Sequence, residues 1–120
     1  MTEKIRKCSP LVVVLSTVGD ANDARSLAAS MLDNRLAACV QIDSPVQSHY
    51  RWEGENHVDT EYRLVIKTVA SGAEKLVSWL SENHPYDEPQ IVVIPVVETT
   101  PGYARWVVEQ TGESSGIQRT

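Results

Sequence analysis

Imidazole, phenol and carboxylate side chains crowd into one short run, His84-Pro85-Tyr86-Asp87-Glu88-Pro89. His84 offers an imidazole to a divalent cation, with Asp87 or Glu88 as oxygen partners; equally, it serves as a cap at the negative end of the helix before it. The proline that follows pushes the His84 backbone out of the helical region. Asp87 and Glu88 make a poor catalytic pair, because neighbouring residues rarely converge on one substrate and carboxylate chemistry needs a set separation. The chain carries no C-x-x-C, H-E-x-x-H or EF-hand loop, and no nucleophile elbow, P-loop or dinucleotide fingerprint. That pattern argues against an enzyme. His49 and His57 lie on the two arms of an expected hairpin and can approach each other across it, with a solvated pair as the simpler reading. Cys39, between Ala38 and Val40, reads as a small packed hydrophobe, whereas Cys8 lies in a polar arm and is reactive through exposure alone.

These groups belong to a chain of 120 residues, room for one domain with one core. Net charge is −5, and the only basic knot is Lys4, Arg6 and Lys7. A nucleic-acid binder is expected to show a basic stripe, so that class is set aside. No apolar run reaches the ~18 residues a membrane helix needs, and the first ten residues are too polar for a signal segment. Two cysteines without framework spacing fit a reducing compartment. Together these features lead to the expectation of a cytoplasmic protein.

The elements that position the polar run follow from hydrophobic period. Residues 11–17 are β-branched and apolar on both faces, as in a buried strand. Asp20 caps a helix whose Ala24, Leu27, Ala28, Met31 and Leu32 form one stripe. Residues 36–42 predict a second strand, broken by Asp43-Ser44-Pro45. Clean alternation then predicts a hairpin turning at residues 53–56, too long for its Trp52 end to be covered. Ser71 and Glu74 have the spacing of a capping box, opening a helix with Ala73, Leu76, Val77 and Leu80 inward. After the polar run comes the apolar strand 91–97, interrupted by Pro95. Pro101 starts a short last helix that Gly112 stops. The order β-α-β-β-α-β plus a terminal helix is α+β and ferredoxin-like: an antiparallel sheet with two helices on one face. We expect a single domain over 1–120, its core at about 11–110, with a loose arm at 1–9 and a tail at 113–120.

Such a two-layer fold covers one face of its sheet. Here the strand at 91–97 is apolar on both, leaving either Val92, Ile94 and Val96 or their complement without a helix. Burying a Val or Ile side chain is worth roughly 1.5–3 kcal/mol, so a row of three carries about 5–9 kcal/mol, comparable with the net stability of a domain. Copies of the chain are therefore expected to close over each other, unless the terminal helix folds beneath the sheet.

Several stretches resemble the CutA family of divalent-cation-tolerance proteins, in order and at the family's spacing. They are Leu36-Ala37-Ala38-Cys39-Val40, Tyr50-Arg51-Trp52-Glu53-Gly54, Glu61-Tyr62 through Lys67-Thr68, His84-Pro85-Tyr86 with Pro89, and Ile94-Pro95-Val96. Tyr103 and Trp106 also match. The resemblance covers about residues 11–110 and implies a ferredoxin-like subunit in a homotrimer, non-enzymatic and tied to copper and other divalent cations. Family copper binding is attributed to a Cys and a His-His pair, and the matching positions here hold Ser16, Asn83 and His84. Only His84 is a strong ligand, so any copper or other divalent cation is expected to bind weakly and no cofactor to be required. Trp52, Glu61, Lys67 and Tyr86 are the polar and aromatic members of the matched motifs, and the resemblance implies that they line an inter-subunit cleft or anchor the interface. The similarity to the trimeric PII signalling proteins implies an alternative, a signalling trimer holding a small anionic or nucleotide ligand between subunits.

Overall fold

The computed structural model describes residues 9–112. The basic knot, Cys8, most of the expected arm and the expected tail lie outside the described residues. Five strands and three helices follow in the order β1 (Leu11–Val18), α1 (Ala21–Asp33), β2 (Cys39–Ile42), β3 (Val46–Trp52), β4 (Glu55–Val69), α2 (Ala73–Asn83), β5 (Ile91–Pro95) and α3 (Pro101–Gln110). The sheet is antiparallel throughout, in the order β2-β4-β1-β5, and β3 pairs with the far half of β4. This is the expected α+β, ferredoxin-like arrangement.

β4 carries the architecture. Its 15 residues pair with β3 over Glu55–Glu61 and with β1 over Tyr62–Val69. Along it Leu64, Ile66 and Thr68 are fully buried, while the residues between them are more open. Alternation of this kind fixes register, since a slip of one residue would turn every core side chain to the other face. α1 and α2 cover the Leu64–Ile66 face with Ala24, Leu27, Met31, Leu76 and Leu80, against Val12, Val14 and Val18 of β1.

Local chemistry sets the joints. The Asp20 carboxylate accepts hydrogen bonds from the Asn22 and Asp23 amides at 2.6 and 3.3 Å, capping α1 as its position predicts. The Ser71 capping box does not form. A 3₁₀ turn at Ala70–Gly72 leads into α2, Gly72 is the cap residue, and the Ala73 amide bonds to the Ala70 carbonyl. The tight turn thus engages the Ala73 amide and moves the cap one residue beyond Ser71, so Ser71 and Glu74 no longer stand at the two positions a box requires.

β2 is shorter than the expected strand at 36–42. Arg35 takes a left-handed φ of 57°, and the buried Leu36, Ala37 and Ala38 form a packed approach to the sheet instead. The Leu36 carbonyl accepts the Thr68 hydroxyl at 2.8 Å. β5 likewise stops at Pro95, although the Val96 amide still donates to the Leu11 carbonyl at 3.1 Å.

α3 lies on the other face of the sheet. Its fully buried Val107 packs with Leu11, Ala38, Val69 and Val96. Arg35 fastens its end, donating at 2.8 Å to the carbonyls of both Glu109 and Gly112, while the Gly112 amide donates to the Arg35 carbonyl at 3.1 Å. The helix covers only one end of this face: Val92 and Ile94 remain 43% and 42% exposed.

Candidate functional site

The polar run predicted to do chemistry is anchored from within. His84 ends α2 in an extended conformation, as a residue before proline must. Its ring is buried, and its Nε2 lies 2.9 Å from the Thr17 carbonyl at the end of β1. Its Nδ1 accepts the Tyr86 amide at 3.0 Å. A carbonyl only accepts and a backbone amide only donates, so these partners require the neutral tautomer with hydrogen on Nε2. Burial reinforces this by holding the His84 pKa below its ordinary value, against the opposing pull of the Thr17 carbonyl, Glu61 and Asp23. The ring therefore ties the polar run to β1; it does not cap the carbonyls of α2 as a cation.

His84 in turn sets Tyr86, whose ring lies 4.9 Å from the imidazole. The Tyr86 hydroxyl donates to a Glu61 oxygen at 2.8 Å. Gly19 makes room for it: a Cβ there would stand 3.2 Å from the phenolic oxygen. Burial and the Glu61 carboxylate push the Tyr86 pKa far up, so the phenol remains a donor at neutral pH.

Opposite Tyr86 stands the β3–β4 ribbon. Its turn has only two residues, Glu53 and Gly54, with φ of 52° and 82°, the geometry whose twist suits a tight hairpin. The resulting register sets Ser48 against Asp59 and Tyr50 against His57, with Val46 against Glu61. Tyr50 stacks on His57 with ring centres 5.4 Å apart, and its hydroxyl donates to Asp59. That bond, with a smaller effect of burial, raises the Tyr50 pKa. His49 pairs with Val58 and so faces the other way from His57; the alternation that separates their neighbours also separates these two histidines.

Between the ribbon and the polar run lies a cleft of about 630 Å³, lined chiefly by Tyr50, Trp52, Asp59, Glu61, Tyr86 and Glu88. Of the four residues expected to line a cleft, it gathers Trp52, Glu61 and Tyr86. Lys67 stands apart in the same chain. It is six residues along β4 from Glu61, about 20 Å at strand rise, with its ammonium on the Gln41 side chain at 3.1 Å. Tyr50, Asp59 and Glu88 are cleft residues that sequence reasoning missed. The signal for the first two was the Glu53-Gly54 turn, which fixes the cross-strand pairs once it is read as two residues.

The copper donor set of the resemblance does not fit. Ser16 presents a fully buried hydroxyl without a hydrogen-bond partner, and Asn83 donates its side-chain amide to the Trp79 carbonyl at 2.8 Å. Neither is the soft ligand that selects copper, and both ring nitrogens of His84 are engaged. Among the described residues no three His, Cys, Asp or Glu side chains converge on a possible metal position. Cys39 is a half-buried free thiol on β2, consistent with packing.

Comparison with known proteins gives the kinship. A family model, CutA1 divalent ion tolerance protein, matches residues 12–110. The Divalent-cation tolerance protein CutA of Thermus thermophilus is 41% identical over 100 residues, covering 83% of this chain and 97% of the relative. Protein CutA, chloroplastic, of Arabidopsis thaliana is 36% identical over 109 residues; the match covers 91% of this chain but only 60% of that longer relative. Among solved structures, CutA1 from Oryza sativa superposes with a TM-score of 0.84 at 36% identity, covering 88% of this chain and 96% of that one. The Thermus thermophilus divalent cation tolerance protein (Cut A1) gives 0.82 at 40% identity, over 85% and 99%. On matches spanning nearly the whole described fold, the chain belongs to the CutA1 divalent ion tolerance protein family.

Proposed function

We propose that this protein is a non-enzymatic, homotrimeric member of the divalent-cation response, working through the cleft of Trp52, Glu61 and Tyr86. The observation that carries the reading is the apolar strip on the face away from α1 and α2. There Val92 and Ile94 are more than two-fifths exposed, beside half-buried Val13 and Leu15. β-branched residues in such a row favour a protein partner over water, and a second and third copy supply one. In this reading Lys67, which pairs with Val13 on that face, belongs to the interface.

Cation tolerance is the role the relatives' names carry, and the cleft's three carboxylates support a cationic ligand over the anionic one of a PII-like trimer. A copper ion at His84 binds weakly, because it must displace the Thr17 or Tyr86 hydrogen bond. Two cysteines without framework spacing, with Cys39 a free thiol, support a reducing compartment, with the cytoplasm as the plain choice.

Light scattering on the purified chain tests the assembly: the expected mass is about three times the 13.3 kDa of one chain. A single-chain particle at micromolar concentration would overturn the reading. Calorimetric titration with Cu²⁺ tests the metal, with weak heat expected that His84→Ala removes.

A further inference from the structure

A groove of about 610 Å³ runs along the exposed side of α2, on the helix side of the sheet. Glu74, Trp79 and Glu82 stand along its α2 wall, Leu36 lies on the wall after α1, and Lys75 is the one cation among the lining residues. Trp79 is half-buried against the core, while both glutamates are exposed. Among the described residues neither Glu74 nor Glu82 has an ion-pair partner.

The chain enters the fold beside this groove. The Ala70 amide donates to the Pro10 carbonyl at 2.6 Å, and the next residue, Ser71, lines the groove. The segment before Ser9 holds the basic knot, Lys4, Arg6 and Lys7 against a single acid, Glu3. Its reach matches the wall. Glu74 and Glu82 lie four and twelve residues past Ala70, about 7 and roughly 20 Å along the 3₁₀ turn and helix. Lys7 and Lys4 lie three and six residues before Pro10, at most about 11 and about 22 Å of extended chain. The segment after Gly112 also starts nearby, since Arg35 holds Gly112 next to Asn34. With one acid, Glu113, and one base, Arg119, it lacks the matching charge.

We propose that residues 4–7 form a strap lying along α2 in this groove, with Lys7 at Glu74 and Lys4 at Glu82. The methylene stems of Lys4, Arg6 and Lys7 cover the Trp79 ring while their charged heads stay at the wet rim. A cation beside the indole adds a further attraction. Each exposed ion pair is weak alone, but the fixed exit at Pro10 makes the contact intramolecular, at an effective concentration in the millimolar range. The strap touches neither the cleft nor the apolar strip of Val92 and Ile94, so it stands or falls apart from the reading above.

Trypsin cleavage after Lys4, Arg6 and Lys7 tests the strap, timed by mass spectrometry in the intact chain and in a free peptide of residues 1–10. At low salt the chain is expected to be cut about tenfold more slowly than the peptide. Glu74→Gln and Glu82→Gln should each speed cleavage about threefold, and about 0.5 M salt should remove most of the protection as charges are screened. Glu109→Gln, an exposed change on α3, and removal of residues 113–120 should leave the rate unchanged.

Cleavage as fast as in the peptide would overturn the inference, as would wild-type rates in both glutamate variants or protection that persists in salt. Protection lost on removal of residues 113–120 would give the groove to that segment. Protection that appears only as the chain is concentrated would place the strap on a second copy. Either result overturns the inference. Circular dichroism checks the fold of each variant; if one glutamate variant unfolds, the other and the salt series decide.

Discussion

The two faces of the central strands are built from the same residue types but meet different surroundings. On one face Val14, Leu64 and Ile66 are fully buried under α1 and α2. On the other, Val13 and Leu15 are half-buried, and their β5 partners Ile94 and Val92 are more than two-fifths exposed. The difference is one of cover, not composition: α3 reaches Leu11, Val69 and Val96 and no further. One face is completed by the chain itself, and the other is the one on which the proposed assembly rests.

The most damaging change on the uncovered face is the double substitution Val92→Asp with Ile94→Asp. It should abolish assembly while the helix-covered core still folds, giving a single-chain mass by light scattering with helical circular dichroism intact. An unchanged mass would break the contrast between the faces. On the covered face, Leu80→Ala should cost about 2–5 kcal/mol in urea unfolding, because it opens a cavity that the neighbours fill only in part. Thr68→Val is the next step down. It leaves the buried Leu36 carbonyl without its donor, at about 1–3 kcal/mol, and a cost near zero would show that water reaches that carbonyl.

The smallest expected effect is a pH slope from His84. Its folded pKa is lowered, so the unfolded chain binds the proton more readily and stability is complete above the unfolded value of 6.5. Stability is then lost as pH falls from 6.5 toward the folded value. Urea midpoints across that window should drop with acid in the wild type and less so in His84→Gln. A parallel pair of curves would mean that His84 is not held neutral.

Much of this was legible because period and capping are local. The alternation of residues 58–68 gave the buried row of β4, and Asp20 before Asn22 and Asp23 gave the cap of α1. The expectation of an uncovered row on β5 needed only the observation that no residue there is polar. What escaped depended on contacts far apart in the chain. Ser71 and Glu74 had the right spacing, but the 3₁₀ turn leaving β4 moved the helix start. Leu36–Ala38 read as strand, since nothing local shows that Arg35 will turn left-handed and fasten α3. In the cleft, Trp52, Glu61 and Tyr86 were singled out through the motifs that resemble the family. Asp59 and Tyr50 were not, because their role follows from hairpin register and not from their neighbours in sequence.

β4 has a consequence that neither of its halves would have alone. Glu61 in the cleft and Leu64 in the core are three residues apart on one unbroken strand, which cannot creep along its neighbours without inverting its side chains. Tension applied at one end of such a beam must reach the other. Occupancy of the cleft should therefore slow amide exchange at Leu64 and Ile66, well inside a region the occupant never touches.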